Sequence, residues 1–564
     1  MSAVLSASSP PRAAARQNWI LGPAQDTLFI VAAPPLVLGA AIALFAALGA
    51  ADATAYIMLL HVVLTVAHHL PTFIRVYGDV ELFRRFRWTF ILAPVIPFGF
   101  AAVALALLNA RGLPVQNVLY LWVLLALWDP WHFLMQHYGF TRIYDRHNAA
   151  PKKLAARMDL LLCAVWFVSI MLASGEWLAG ILEDLYLRAH LPAALLLPPA
   201  AVRALTGFML SSATLATIAY GAYLVWCRRR GHFVSVTKLA LLVTMFGVMF
   251  LAYTPNRWIL TWAPGWTFAV GFAVIGIVHM TQYLAIVWRY NSSLASRPEA
   301  ARAGLFRRLH ARGGWLVGAG YVALCLAYGA VLTRQHENRW LMSVLLTLGF
   351  TSTLLHYYFD GFIWKLRQSR NREHLGLARQ GDAPEIGAGA ASAATRPRSP
   401  FATLLRHALY FGVPLSILSG GALWVLDGPG SNYVGHMLRG GALYGRGRAD
   451  EALDEARTAL ASMEWQLPLA RHLVELEPRP AREAALAFLI YNRSRYAELL
   501  IPSLAAAKVD ASALARHRDD VAQAASLLAH ALEDGGPIGT VGGRELRRED
   551  AYATLASWRE ETER

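Results

Sequence analysis

Apolar runs of about twenty residues, each long enough to cross a ~30 Å hydrocarbon core as a helix, recur along most of this chain. A helix is favoured in lipid because it pairs its own backbone groups. The chain is 56% hydrophobic and 16% charged, whereas soluble domains carry roughly a quarter of charged residues. We therefore predict an all-α, polytopic transmembrane helical bundle with about eleven spans.

The predicted spans follow the apolar runs, and Pro34 and Pro35 should bend the first of them. They cover residues 27–50, 54–75, 89–109, 117–141, 158–181, 205–227, 236–253, 267–288, 315–333, 340–364 and 403–426. The predicted domains are an N-terminal cytoplasmic segment (1–26), a transmembrane bundle (27–367), a cytoplasmic linker (368–402), a last span (403–426) and an extracytoplasmic helical domain (430–564).

Lysine and arginine are concentrated in the loops that follow even-numbered spans, for example in "CRRRGH" and "KLRQSRNREH". By the positive-inside rule, these loops are cytoplasmic. The N-terminus is then cytoplasmic and, with an odd span number, the C-terminal domain is extracytoplasmic. We expect a bacterial inner-membrane protein.

The basic loops between spans explain the net charge of +15. No segment resembles a nucleic-acid-binding module, so no nucleic-acid partner is expected.

The chain after the last span is soluble in character. "GGALYGRGRADEALDEARTALA" predicts a helical hairpin, and its small residues at Gly440, Gly447, Ala452 and Ala459 resemble those of a tetratricopeptide repeat. An unrelated alanine-rich bundle fits equally well. A protein partner of this domain is one expectation. The preceding "GDAPEIGAGAASAATRPRSP" predicts a flexible linker.

Four predicted spans that run inward carry histidine. They contain "HVVLTVAHHLPTFIRVY", "WDPWHFLMQHYGFTRIY", "VHMTQYLAIVWRY" and "LHYYFDGFIWKLR". At 1.5 Å per residue, most of these imidazoles lie roughly 8–15 Å inside the cytoplasmic boundary. Such groups are costly in lipid and mark functional sites. The predicted metal ligands are His61, His68, His69, His132, His137, His279, His356 and Asp360.

Helical spacing places several polar residues on the histidine faces. We expect Asp129 to cap a helical turn that restarts at Pro130 and to point toward His132. Residues predicted to orient the ligands or to contact substrate are Asp129, Gln136, Gln282, Tyr138, Tyr283 and Tyr357. Predicted contacts to lipid headgroups are Arg75, Arg142 and Arg289.

Each of these histidines, tyrosines and carboxylates can also be explained by an ordinary structural role. A single membrane histidine can bond a backbone carbonyl of another helix, and the tyrosines can be interfacial residues. Asp360 can pair with Lys365 or Arg367, one or two turns later. The coincidence of histidines on four helices at similar depth favours a metal cluster.

Neutral imidazoles with one or two carboxylates suit iron, zinc or copper. Seven histidines exceed the three or four ligands of one zinc. Two metal ions, with iron favoured, or one ion and a haem account for the number better. Soft thiolates are absent from the cluster.

The placement of these histidines resembles that of the histidine-rich integral-membrane di-iron oxygenases: fatty-acid desaturases, alkane hydroxylases and sterol hydroxylases. The resemblance implies O2 activation, a hydrophobic or lipid-like substrate and an electron donor. Those families have two residues between a histidine and a following histidine pair, whereas "HVVLTVAHH" has six. No ligand assignment is therefore carried over from them.

Two alternatives remain open. "AHHLPTF" and "LHYYFDG" are similar to helices of the haem–copper oxidase main subunit, which would make His68 and His69 copper ligands and His356 a haem ligand. Intramembrane histidine and aspartate also suit a proton-coupled transporter, and a lipid-handling protein without redox chemistry is a further member of this class.

Overall fold

The structure is a computed structural model. It describes residues 17–110, 118, 121–146, 148, 150–180, 198–254, 256–295, 315–363, 399–426, 433–533, 538, 540–541 and 544–563. Within these residues the chain is helical, apart from one antiparallel pair of two-residue strands, β1 (Thr540–Val541) and β2 (Arg544–Glu545). The all-α prediction is confirmed for this part of the chain.

The described residues of the apolar region are mainly helical. Its first part forms α1 (Pro23–Asp26), a π-helical turn (Thr27–Val31), α2 (Ala33–Leu48), α3 (Ala50–Ala67), α4 (His69–Gly78), α5 (Val80–Arg85), α6 (Arg87–Leu92), α7 (Val95–Ala110), α8 (Trp122–Tyr144) and α9 (Lys152–Ala173). Its second part forms α10 (Pro199–Arg229), α11 (Val236–Tyr253), α12 (Arg257–Trp262), α13 (Phe268–Ala295), α14 (Trp315–Thr333), α15 (Arg339–Ile363), α16 (Pro400–His407), a π-helical turn (Ala408–Gly412) and α17 (Val413–Leu426).

By length and composition, nine helical segments of the described residues can each cross a membrane, and the pair Pro23–Val31 and Ala33–Leu48, bent by 49°, would make a tenth. The bend lies just before Pro34 and Pro35, as the sequence predicts. The predicted fourth span is the helix α8, but it is not among the nine segments. Its aspartate, glutamine, histidine and arginine residues lower its hydropathy. The total of about eleven spans therefore stays a prediction.

Glycine permits close helix packing at two places. A Cβ on Gly271 of α13 would lie 1.9 Å from the carbonyl oxygen of Ala252 in α11, and one on Gly329 of α14 would lie 2.2 Å from that of Val63 in α3. Backbones can approach this closely only where no side chain intervenes. The first contact fixes α13, which carries His279, against α11, and the second fixes α14 against α3, which carries His61.

The helices that carry histidine belong to two apolar cores. Ile57 of α3, Phe133 of α8 and Val278 of α13 are buried in one core. The second contains Val76 of α4 and Leu355 of α15, together with Leu125 from the first half of α8. Because α8 contributes to both cores, it connects the two groups of helices.

The C-terminal region is helical, with α18 (Tyr433–Tyr444), α19 (Ala449–Leu476), α20 (Pro480–Ser494), a π-helical turn (Arg495–Leu500), α21 (Ile501–Leu504), α22 (Ala511–Glu533) and α23 (Arg548–Glu563). The predicted hairpin is present as α18 and α19, and Gly440, Ala452 and Ala459 are buried in it. Its assignment as a tetratricopeptide repeat stays a prediction. Nearly all of the predicted linker lies outside the described residues.

Candidate metal centre

The first histidines of the site lie at a break between two helices. Pro71 has no N–H and its ring crowds the carbonyl four residues earlier, which here belongs to Ala67. The α3 helix ends at that residue and α4 begins at His69, with His68 between them. This break lets consecutive residues face the same interior, and the rings of His68 and His69 lie 4.7 Å apart.

Five histidine rings from α3–α4, α8, α13 and α15 converge. The ring of His356 lies 4.5 Å from that of His68, 4.7 Å from that of His69 and 5.1 Å from that of His132. The ring of His279 lies 5.0 Å from that of His132 and 5.5 Å from that of His68. The prediction that histidines of four separate helices meet is confirmed for these five residues, which we name the histidine cluster.

Three members of the cluster form a triad whose ring nitrogens come close to metal-ligand spacing. One ring nitrogen each of His68, His132 and His356 lies within 4.8 Å of the other two. Two nitrogens that each bind one ion at ~2.1 Å can be at most about 4.2 Å apart. Small side-chain rotations, which move each ring nitrogen by under an ångström, would therefore bring the three nitrogens within this limit.

The cluster contains many buried nitrogens that lack a hydrogen-bond partner. They are Nε2 of His68, His69, His132 and His356, and both ring nitrogens of His279. An unpaired buried polar group costs roughly 1–3 kcal/mol, and such groups are rare in native structures. A cation among these nitrogens would satisfy several of them at once.

The opposite ring nitrogens of His68 and His69 have hydrogen-bond partners. Nδ1 of His68 lies 3.3 Å from the carbonyl oxygen of Leu64, and Nδ1 of His69 lies 3.1 Å from Oγ of Ser352. A backbone carbonyl can only accept, so Nδ1 of His68 must donate, and in a neutral imidazole Nε2 is then the free lone pair. Metal-binding histidines are commonly oriented in this way.

Asp360 shares a face of α15 with His356, as the spacing of four residues predicts. Nε2 of His356 and Oδ2 of Asp360 lie 3.8 Å apart. Oδ1 of Asp360 accepts hydrogen bonds from Thr72 and from Tyr283, both at 3.1 Å. The alternative partners, Lys365 and Arg367, lie outside the described residues.

Asp129 contacts a tyrosine. The hydroxyl of Tyr357 donates to Oδ1 of Asp129 at 2.7 Å, and the ring of Tyr357 lies 4.9 Å from that of His132. The predicted restart of the helix at Pro130 is wrong, because this proline lies inside a continuous α8. Asp129 therefore reaches the cluster through Tyr357.

Gln136 and Gln282 bond to each other beside the cluster. Nε2 of Gln136 donates to Oε1 of Gln282 and to the carbonyl oxygen of His279, both at 3.2 Å. Nε2 of Gln282 donates to the carbonyl oxygen of Ile30 at 2.9 Å. The pair connects α8, α13 and the first π-helical turn, and so holds the backbone of His279 in place.

Two predicted ligands lie apart from the ring contacts of the cluster. The ring of His61 packs 5.9 Å from that of Phe272. The ring of His137 lies 6.2 Å from that of Phe140, and its Nδ1 contacts the carbonyl oxygen of Phe133 at 2.8 Å. Among the described residues, no ring contact joins His61 or His137 to the five cluster histidines. Tyr138 is only partly buried, and its carbonyl oxygen accepts from Thr141.

The three predicted headgroup arginines differ in their surroundings. Arg75 is buried and Arg289 is exposed. Arg142 pairs with Asp145 at 3.2 Å and also with Asp159. The described contacts of Arg142 are thus with carboxylates of the protein.

Lys238 completes that buried charge network, which the sequence interpretation missed. Its Nζ lies 3.0 Å from Asp145 and 3.2 Å from Asp159, and Tyr220 donates to Asp159 at 2.7 Å. Lys238 and both aspartates are almost completely buried. The sequence feature that could have predicted this network is the presence of charged residues within or beside apolar runs, since such residues are rarely left unpaired in a membrane.

Comparison with known proteins gave no match to a family model, a curated protein or a solved structure.

Proposed function

We propose that the histidine cluster binds a transition metal and that the protein is an integral-membrane metalloprotein. The observation that carries the proposal is the convergence of buried imidazole nitrogens without partners. His68, His132 and His356 would be the ligands of a first ion. His69 and His279 lie beside this triad and would serve a second ion or complete the first.

The donor set favours iron, with copper and zinc as competitors. Imidazole suits all three metals, and a nearby carboxylate favours iron or zinc over Cu(I). The thiols of Cys163, Cys227 and Cys325 are buried, and none belongs to the histidine triad. Bound iron or copper would supply one-electron and O2 chemistry.

The reaction class that we propose is O2-dependent oxidation of a lipid-like or other hydrophobic substrate. Hydroxylation of a C–H bond consumes one O2, two electrons and two protons, and yields an alcohol and water. The electrons would come from a separate iron–sulfur or flavin donor protein. The apolar helices around the cluster support this class, because a substrate that enters from the bilayer must itself be apolar.

The first experiment measures the metal. Protein purified in detergent would be assayed for iron, copper and zinc by mass spectrometry, and its absorption spectrum recorded. We expect about one or two ions per chain and no Soret band. The variant His68→Ala/His132→Ala/His356→Ala should lose them, and His232→Ala, in a loop beside Trp226, should keep them. Wild-type protein that stays metal-free after reconstitution would contradict the proposal.

A second function has one specific observation in its favour. Thr72, Tyr283, His356 and Asp360 form a continuous set of hydrogen bonds inside the bundle, which is the arrangement of a proton relay in a transporter. Metal-free protein that carries protons across liposome membranes, and loses this flux in Asp360→Asn, would favour this function.

We also propose that the protein lies in a bacterial inner membrane with its N-terminus in the cytoplasm. The C-terminal domain would be a tetratricopeptide-like unit that recruits a protein partner outside. The hairpin of α18 and α19 and its buried small residues support this assignment.

A further inference from the structure

Thr72 contacts His356 of the histidine cluster, although its hydroxyl is not one of the proposed metal ligands. It lies on α4, four residues after His68, and its side chain is buried. Its Oγ1 lies 2.8 Å from Nδ1 of His356, 2.7 Å from the hydroxyl of Tyr283 and 3.1 Å from Oδ1 of Asp360. One hydroxyl therefore joins α4, α13 and α15.

The hydroxyl proton of Thr72 is used on Asp360. A hydroxyl carries one proton and a carboxylate oxygen accepts, so Thr72 donates to Oδ1 of Asp360. Its oxygen is then free to accept from Nδ1–H of His356. Nε2 of His356 keeps its lone pair and faces the cluster.

The other tautomer of His356 is disfavoured. It would place a proton on Nε2, whose nearest carboxylate oxygen, Oδ2 of Asp360, is 3.8 Å away. That distance is too long for a hydrogen bond, and Nε2 has no other hydrogen-bond partner. A buried N–H without an acceptor costs free energy.

We propose that Thr72 is a positioning residue of the metal site: its hydroxyl links the carboxylate of Asp360 to Nδ1 of His356 and so keeps Nε2 available as a ligand. The inference rests on the proposed metal binding. It assigns to a hydroxyl the part that a carboxylate usually plays when it accepts directly from a metal-binding histidine. Asp360 then acts on His356 through Thr72.

The test is the affinity for Co²⁺, added to metal-free protein in detergent and followed by its visible absorption. Thr72→Val, which replaces the hydroxyl by a methyl group of similar size, should weaken binding by the ~10–100-fold typical of such partners. Thr72→Ser should restore wild-type binding. The matched control is Thr65→Val, because the hydroxyl of Thr65 bonds the carbonyl oxygen of His61 in its own helix.

A double-mutant cycle separates this linkage from a direct role of Asp360. If Asp360 acts through Thr72, Asp360→Asn should cause no further loss in a Thr72→Val background. If the two losses add, as they do for independent sites, Asp360 acts by itself and the inference fails. It also fails if Thr72→Val binds Co²⁺ like the wild type, whereas a wild type that binds no Co²⁺ contradicts the proposed function itself.

A second measurement covers the case in which Thr72→Val does not fold. Nitrogen-15 NMR of histidine-labelled, metal-free wild-type protein reports the tautomer, and the signal absent from His356→Gln identifies the residue. The inference requires the proton of His356 on Nδ1. A proton on Nε2 would overturn it.

Discussion

Nε2 of His356 and Oδ2 of Asp360 face the same side of α15 but lie 3.8 Å apart. This separation exceeds a hydrogen bond, whereas the hydroxyl of Thr72 lies within hydrogen-bond distance of both residues. The carboxylate therefore reaches the imidazole through Thr72.

The first prediction concerns this pair. His356→Ala should abolish metal binding at one position of the cluster, because the triad would lose one of its proposed ligands. Asp360→Asn should weaken metal affinity by ~10–100-fold while the protein still inserts and folds. Metal content and Co²⁺ titration of both purified variants measure these effects. Full occupancy and unchanged affinity in both would exclude the pair from the site.

Sequence alone could predict that these helices form and that some of their histidines meet. The reason is physical: imidazole is costly in lipid, so the helical faces that carry it turn inward. The inward position of both His68 and His69 was harder to predict. It depends on the break that Pro71 imposes between α3 and α4, because a continuous helix would turn these side chains about 100° apart.

The position of His61 and the pairing of the buried charges depend on packing between helices that are distant in the sequence. His61 shares a helical stripe with His68, but its ring lies against α13, where a Cβ on Gly276 would come within 2.5 Å of Nε2. The rotation of α13 sets this contact, and no local pattern encodes it. Lys238 contacts Asp145 and Asp159, which lie far from it in the sequence. No local sequence pattern therefore predicts the charge network either.

The second prediction concerns the packing of α11 and α13. Gly271→Ala should destabilise the protein by about 1–3 kcal/mol, because the new Cβ would lie 1.9 Å from a backbone oxygen that cannot move away freely. Gly247→Ala in α11 is the control, since its Cβ meets nothing within 4 Å. Thermal unfolding in detergent compares the two. Equal midpoints would show that the helices separate at little cost.

The third prediction concerns topology. Basic loops after even-numbered spans and an odd number of spans predict that residues 430–564 lie outside the cytoplasm. Protease added to cells with an opened outer barrier should remove a tag placed after Arg564. A tag before Met1 should stay protected and serves as the control. A protected C-terminal tag would contradict the span number or the orientation, and α8, which is not among the nine apolar segments of the described residues, would be the first helix to test with further tags.

The last prediction concerns the junction between the C-terminal domain and the membrane bundle. Arg479 pairs with Glu176 at 2.8 Å, and Glu477 lies 3.7 Å from the same guanidinium. Oε2 of Glu477 is buried without a hydrogen-bond partner, and it would lie 3.1 Å from a Cβ on Gly175. Arg482 donates to the carbonyl oxygen of Glu477. Burial raises the pKa of Glu477 to about 7, against the lowering effect of Arg479.

A raised carboxyl pKa makes the folded junction less stable as pH rises. Between the ordinary pKa of 4.5 and about 7, the folded state keeps a proton that the unfolded state has lost, so the contribution of Glu477 to stability falls with pH in this window and is constant above it. Between pH 5.5 and pH 8, the unfolding midpoint of the wild type should therefore fall further than that of Glu477→Gln, which has no titratable group at this position. Glu475→Gln, at an exposed position in the last turn of α19 just before Glu477, should retain the wild-type pH dependence. If Glu477→Gln and the wild type lose the same number of degrees between the two pH values, Glu477 does not titrate in this window and the junction does not respond to pH through it.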